Sequence, residues 1–323
     1  MVKSPLIMVK KYGIPIINMV LFLELCTKKI TSLFIIIPAH TINQNRFLSI
    51  IHLENLEIFF AGVYKNREMK KMGRLENKVA VVTGASSGMG EQIAKLFASE
   101  GAAVVALARR KERLDDLIKE IEAGGGQTTA VAGDVTIEED VQKAIKTAVD
   151  EYGKLDIVIN NAGLLDKMTP VGDVTDDLWD AVFDVNVKGP MRFFRAAIPL
   201  MEEAGGGTFV TVASLGGIKC GIAGSTYIAS KHAVLGLAKS VAYMYADKNI
   251  RSNVIAPGAV MTEMGQSTDT SERGMNRAQL TMACMPRMGD ASEIAQLALF
   301  LASDESSLVN GAVVTADAGW GAG

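Results

Sequence analysis

Two side chains pair a proton donor with a fixed positive charge: Tyr227 and Lys231, in the run Tyr227-Ile228-Ala229-Ser230-Lys231. Four positions apart on a helix, they share one face. A free phenol ionises near pH 10, too high for an effective base at neutrality. An ammonium beside it stabilises the phenolate and brings its ionisation toward the working range. Such a pair suits proton exchange with an oxygen that alternates between hydroxyl and carbonyl. Tyr-x-x-x-Lys is common on ordinary helices, so its meaning rests on what surrounds it. Ser214 stands 13 positions earlier (227 − 214), and its hydroxyl is of the kind that can hydrogen-bond a substrate oxygen.

A second constellation handles anions. Thr83-Gly84-Ala85-Ser86-Ser87-Gly88-Met89-Gly90 joins an apolar run to a helical pattern. Gly84 permits a tight turn, Gly88 lets the backbone approach a pyrophosphate, and Gly90 lets the helix pack on the strand. Free N–H groups at the helix start then face the phosphates. A second apolar run ends in Ala108-Arg109-Arg110-Lys111, without the Asp or Glu that would hold a ribose 2′-hydroxyl. Arginine there offers charge-assisted hydrogen bonds to a 2′-phosphate, so NADP(H) is expected in preference to NAD(H). The plainer reading of the basic cluster is a solvated helix start.

The elements that must position these groups alternate along the chain. Strands are expected at Lys78–Thr83, Ala103–Ala108, Thr128–Ala132, Leu155–Asn160, Thr208–Val212, Arg251–Ile255 and Ala312–Ala316, as short apolar runs. Helical patterns fill the intervals, among them Glu91–Glu100, Arg113–Ala123, Glu138–Tyr152 and Tyr227 to about Ala246. The sequence therefore predicts a single-domain α/β fold, a doubly wound, Rossmann-like parallel sheet of about seven strands with helices on both faces. Ligands of such sheets bind beyond the carboxyl ends of the strands, where both constellations fall.

Composition narrows the function further. The 323 residues are 49% hydrophobic and 21% charged with a formal net charge of −3, which favours neither nucleic acid nor an anionic membrane as partner. Cys26, Cys220 and Cys284 match no disulfide or zinc spacing, and His40, His52 and His232 are scattered, so no metal site and a reduced cytoplasmic setting are expected. Residues 1–73 differ in character, with Ala39 and Ala61 as their only alanines up to residue 68. Their apolar stretches, Ile14–Leu25 and Leu33–Pro38, fall short of the roughly 20 residues that span a bilayer. This segment reads as an extension of a domain covering 74–323: a start assigned upstream of Met72, a poorly ordered leader, or a membrane-surface anchor.

The G-x-x-x-G-x-G turn, the Ser214 to Tyr227 spacing and the Tyr-x-x-x-Lys pair together resemble the short-chain dehydrogenase/reductase family. The resemblance runs from about Leu75 to Gly323. Further matching motifs are Gly133-Asp134-Val135, Asn160-Asn161-Ala162-Gly163, Asp184-Val185-Asn186-Val187-Lys188-Gly189 and Pro257-Gly258-Ala259-Val260-Met261-Thr262. By that resemblance Asp134 and Val135 meet the adenine, and Asn161, Ala162 and Gly163 line the cofactor. Pro257, Gly258, Val260 and Thr262 meet the nicotinamide, with Tyr227 and Lys231 beside it. Asn186 joins Ser214, Tyr227 and Lys231 as a catalytic group by holding a relay water, and the chain assembles as a homotetramer through the helices after Ala181 and Tyr227. Ala213 stands where the family often has serine, and Asp317-Ala318-Gly319 replaces a common Asp-Gly-Gly.

The implied reaction interconverts a secondary alcohol and a ketone. Met261–Gly289, the expected substrate lid, carries Met264, Met275, Met282, Met285 and Met288. Their flexible thioethers suit a bulky apolar substrate such as a hydroxysteroid, or simply seal a mobile segment. Two rivals stand beside that reading: a 3-oxoacyl-carrier-protein reductase, and a non-catalytic cofactor-binding sensor or scaffold. The latter is disfavoured by the presence of Ser214, Tyr227 and Lys231 together.

Overall fold

Short runs of Val, Ala and Ile, bounded by glycines and buried on both sides, form the sheet. In the computed structural model, which describes residues 73–266 and 270–322, the strands are β1 (Val79–Thr83), β2 (Ala103–Ala108), β3 (Gln127–Ala132), β4 (Ile157–Asn160), β5 (Gly207–Val212), β6 (Ile250–Pro257) and β7 (Val313–Ala316). All pair in parallel, in the order β3-β2-β1-β4-β5-β6-β7. The expected seven-stranded, doubly wound sheet is what the chain forms. Most of the residues 1–73 assigned to the extension lie outside the described residues.

The helices are α1 (Gly88–Ser99), α2 (Lys111–Ala123), α3 (Glu138–Tyr152), α4 (Asp176–Phe183), α5 (Gly189–Glu203), α6 (Ser225–Met244), α7 (Glu272–Met282) and α8 (Ala291–Ala302). Strand side chains alternate between faces, so each strand feeds two cores. Ala80 and Val82 of β1 join Phe97, Leu114 and Leu299 beneath α1, α2 and α8. Val79 and Val81 join Ile145, Phe193 and Val234 beneath α3, α5 and α6. Phe97, Phe193 and Phe209 are fully buried, and each such side chain contributes about 1.5–3 kcal/mol by leaving water.

Three local features aim the site. Thr83 of β1 lies in register with Leu107 of β2, so the glycine-rich turn and the Arg109-Arg110 corner leave the sheet side by side. Between α4 and α5 the helix widens into a π turn, Asp184–Lys188, which carries Asn186 in at 1% exposure. Such turns are costly within a helix and gather at functional sites. The segment after β6 is pinned at both ends: Met261 donates to Gly289 O (3.0 Å) and Gly289 to Ala259 O (2.8 Å). Among the described residues no helix is long and apolar enough to cross a membrane, and no group of three His, Cys, Asp or Glu could hold a metal ion.

Met72–Gly323 forms one compact unit. A chain beginning at Met72 should therefore fold and turn over substrate like the full chain. Parallel thermal melts and turnover assays check this, and a truncated protein that aggregates or loses activity refutes it.

Candidate active site

Beyond the carboxyl ends of β1, β2, β3 and β4 lies a cleft of about 430 Å³, within the range of small-molecule sites. Its walls include Gly84, Ser86, Ser87, Gly88, Met89, Arg109, Arg110, Asp134, Val135, Asn161, Ala162, Gly163 and Thr262, all expected from the sequence. Gly84 and Gly88 adopt φ of +65° and +58°, turning the chain sharply into α1. Gly90 lies under the turn rather than in the cleft. A Cβ on it would fall 2.3 Å from Gly84 O and 2.4 Å from Asn161 Nδ2. Asn161 braces the turn by donating to Thr83 O (2.9 Å), and its Oδ1 is buried without a partner among the described residues. Open backbone at a helix N-terminus, two serine hydroxyls, two arginines and an orphaned amide oxygen fit a dinucleotide with its phosphates over Ser86–Gly88.

The two arginines differ. Arg109 is 76% exposed and only approaches Asp134, at 3.8 Å. Arg110 crosses the mouth of the turn, donating to Ser86 Oγ (3.2 Å), Ser87 Oγ (2.7 Å) and Glu263 Oε2 (2.9 Å). Arg113 reaches Glu263 as well, at 3.2 Å. The two cations hold the Glu263 carboxyl below the usual carboxylate range, the hydrogen bond from Arg110 contributing most. Pro257, Gly258 and Val260 do not line the cleft. Pro257 ends β6 beside Ala316, Gly258 sits against Asp317, and Val260 bridges to Gly289.

Tyr227 and Lys231 stand on the first two turns of α6, 8% and 3% exposed. Lys231 Nζ lies 5.4 Å from the Tyr227 ring centre and donates to Val212 O (3.2 Å). Ser214 leaves β5 in extended conformation, and its Oγ accepts from Gly216 N (3.0 Å), leaving the hydroxyl proton to aim elsewhere. Burial pushes the phenol up to about 12; its hydrogen bond with Ser214 opposes this and the charge of Asp166 adds to it. Burial also pushes Lys231 down to about 8. The sequence led us to expect a phenol lowered by its ammonium neighbour. In the protein alone, loss of water outweighs that attraction for both groups.

Asn186 ties the parts together. Its Oδ1 accepts from Leu164 N (2.8 Å), while Nδ2 donates to Leu164 O (2.9 Å) and Ser230 Oγ (3.0 Å). Ser230 in turn donates to Tyr227 O (2.7 Å). Both amide protons are thus spent on the protein, leaving only oxygen lone-pair capacity for a water. Gly163 closes the gap between the two halves of the site: a Cβ there would lie 3.6 Å from Asn186 Oδ1 and 3.7 Å from Lys231 Nζ.

Residues 84–321 match the family model described as enoyl-(acyl carrier protein) reductase. A 3β-hydroxysteroid dehydrogenase of Eggerthella lenta is 40% identical over 250 residues, 77% of this chain and 96% of that protein. A 3-oxoacyl-(acyl-carrier-protein) reductase of Thermotoga maritima is 39% identical over 246 residues, 76% and 98% of the two chains. The chain belongs to the short-chain dehydrogenase/reductase family. It is an oxidoreductase by that membership, and the family binds NAD(P). Among solved structures, a 7α-hydroxysteroid dehydrogenase complexed with NADH and 7-oxo glycochenodeoxycholic acid superposes with a TM-score of 0.70 at 32% identity, covering 76% of this chain and 95% of that one.

Within this short-chain dehydrogenase/reductase, the sequence did not assign Glu263, Leu164 or Val185 to the cleft, and it placed Met264 in the substrate segment; all four line the cleft. Glu263 follows Thr262 directly, but nothing local announces that Arg110, 153 residues earlier, is its partner. Gly90→Ala should destabilise the protein by about 1–3 kcal/mol, because a backbone oxygen at that distance cannot step aside as a flexible side chain would. NADPH affinity should fall with it as the turn shifts. Melting and fluorescence titration measure the two effects, and parental values for both would contradict the packing argument.

Proposed function

We propose that this protein is an NADP(H)-dependent oxidoreductase that interconverts a secondary alcohol and a ketone, with Tyr227 as general acid/base. The observation that carries the reading is the buried Tyr227 phenol, set between Ser214 and Lys231 and one glycine away from the dinucleotide cleft. When bound, the nicotinamide supplies or takes up the hydride. The chain's own groups handle the oxygen. Ser214 Oγ donates a hydrogen bond to it, and the Tyr227 hydroxyl gives it a proton in reduction or removes one in oxidation. Lys231 holds positive charge beside the ring and moderates the phenol's ionisation.

For NADP(H), the support is Ala108 at the end of β2, with Arg109 and Arg110 lining the cleft. For a hydroxysteroid or another bulky apolar alcohol, it is the resemblance to two hydroxysteroid dehydrogenases and a lid bearing exposed Met264 and Met288. Reduction of a 3-oxoacyl-carrier-protein is the second reading, favoured by the Thermotoga maritima relative. Assays with acetoacetyl thioesters against 3-oxo and 7-oxo steroids separate the two. A cytoplasmic homotetramer completes the proposal, built through the helices after Ala181 and Tyr227, and sedimentation of a monomer would refute that assembly.

NADPH should be used more efficiently than NADH, and Ala108→Asp with Arg109→Ala should invert the order by replacing attraction with repulsion. Better efficiency with NADH in the parent enzyme would overturn the cofactor assignment.

Tyr227→Phe keeps the ring while removing the proton, so turnover should fall at least about 10²-fold with NADPH binding preserved. Ser214→Ala should also impair turnover, and the double variant should lose less than the product of the single losses. With the phenol pushed up to about 12 in the free protein, the proton-donating form prevails at neutral pH. Alcohol oxidation should therefore rise with pH, and Lys231→Met should carry that rise higher still. Turnover against pH for each variant is the measurement. A Tyr227→Phe enzyme that binds NADPH normally and keeps more than about a tenth of parental turnover would disprove the acid/base role.

A further inference from the structure

Helix α6 begins without a cap of its own. Its N-cap residue is Gly224, which has no side chain to receive the N–H groups left open in the first turn. The missing acceptor comes from the loop after β4. Asp166, 0% exposed, accepts from Gly224 N (3.1 Å) with one oxygen and from Tyr227 N (2.9 Å) with the other. We propose that Asp166 is a positioning residue of the reaction: its buried carboxylate caps the catalytic helix from 61 residues away, sets Tyr227 against Ser214 and ties that helix to the substrate lid. The inference rests on Tyr227 being the acid/base.

The surroundings are built for this contact. A Cβ on Gly224 would lie 2.3–2.5 Å from the atoms of the Asp166 carboxyl group, so no other residue at 224 admits it in this position. Thr169 closes the loop by donating from its N (3.1 Å) and Oγ1 (2.6 Å) to Asp166 O, and its own carbonyl accepts from Ser225 N (2.9 Å). Between them Lys167 and Met168 take φ of 55° and 60°, a left-handed conformation that side chains seldom adopt in succession. That twist turns both carbonyls toward α7. Lys167 O accepts from Ser271 N (2.8 Å), and Met168 O packs so closely on Gly274 that a Cβ there would meet it at 1.8 Å. One four-residue turn thus grips the first turn of the catalytic helix and the first turn of the lid helix.

The charge acts on the phenol. From its own helix Tyr227 faces Lys231, from the β4 loop Asp166, and from the end of β5 the neutral Ser214 hydroxyl; Asp166 is the charge that pushes the phenol up. A nearby negative charge opposes phenolate and favours the proton-donating phenol. Asp166 therefore biases the residue toward reduction of a ketone while Lys231 opposes it.

The test uses the full chain with cyclohexanone and a 3-oxo steroid as probes, and the corresponding alcohols for oxidation. Asp166→Asn keeps the shape and removes the charge. Its kcat for reduction should fall about tenfold or more while KM and NADPH affinity move less than about threefold. In oxidation its rise with pH should begin about half a unit or more lower than in the parent. A cap with no part in positioning would leave the pH profile unchanged, and kcat would stay parental at temperatures well below melting; that result overturns the proposal. Should Asp166→Asn fail to fold, Gly224→Ala displaces the carboxylate while keeping its charge. It should lose kcat with NADPH binding intact, and parental kcat would equally overturn the proposal. Tyr227→Phe run alongside separates the cases: an active Tyr227→Phe defeats the acid/base reading, whereas an inactive one beside fully active Asp166 and Gly224 variants defeats this inference alone.

Discussion

The site depends on a reversal of strand order. From β1 the chain winds outward through β2 and β3, then returns to place β4 on the other side of β1. Right-handed crossovers put the following helices on opposite faces of the sheet. The loops after β1 and β4 therefore part, and a crevice opens above the strands that no side chain has to create. The glycine-rich turn, the Asn161–Gly163 loop and the Arg109-Arg110 corner are the rims of that crevice.

What the reversal leaves open, buried polar groups must define. A phenol, an amine, a carboxylate and the Asn186 amide meet near the strand ends, all nearly inaccessible to water. Removing such groups from water is costly unless each has a partner. Here Asn186 is satisfied by Leu164 and Ser230, Asp166 by two helix N–H groups, and Lys231 by Val212. The result is a network in which the position of Tyr227 is over-determined: from below by Ser230, from its amide by Asp166 and from the ring by Lys231. Preorganisation of this kind spares the reaction from ordering its own groups.

How much of this was legible in the sequence follows from the range of the interactions. Strands buried on both faces announce themselves as short apolar runs, and β2 and α3 have the expected bounds. β6 runs two residues past expectation to Pro257 because its pairing with β7 continues to the end. Helix α6 starts at Ser225, before Tyr227, since its cap comes from Asp166, a residue that no local pattern at 220–227 could reveal. Motif spacing found Ser214, Tyr227, Lys231 and the cleft walls because backbone geometry ties spacing to place. It placed Arg109 and Arg110 together at the end of β2, whereas their different reach is set by Ser86, Ser87 and Glu263, which the spacing does not connect. Nor could it foresee that Asn186 sits in a π turn.

The last described turn of the chain reaches back to α7. Trp320, 8% exposed, donates from its indole Nε1 to Thr281 O (3.0 Å), in the last turn of α7. The indole's emission depends on its hydrogen bond and on its access to water, and that hydrogen bond is made to α7. Trp179, the other tryptophan of the sequence, stacks on Phe183 in α4 with ring centres 4.5 Å apart. Trp320 thus gives unlabelled protein an intrinsic optical report on the last turn of α7.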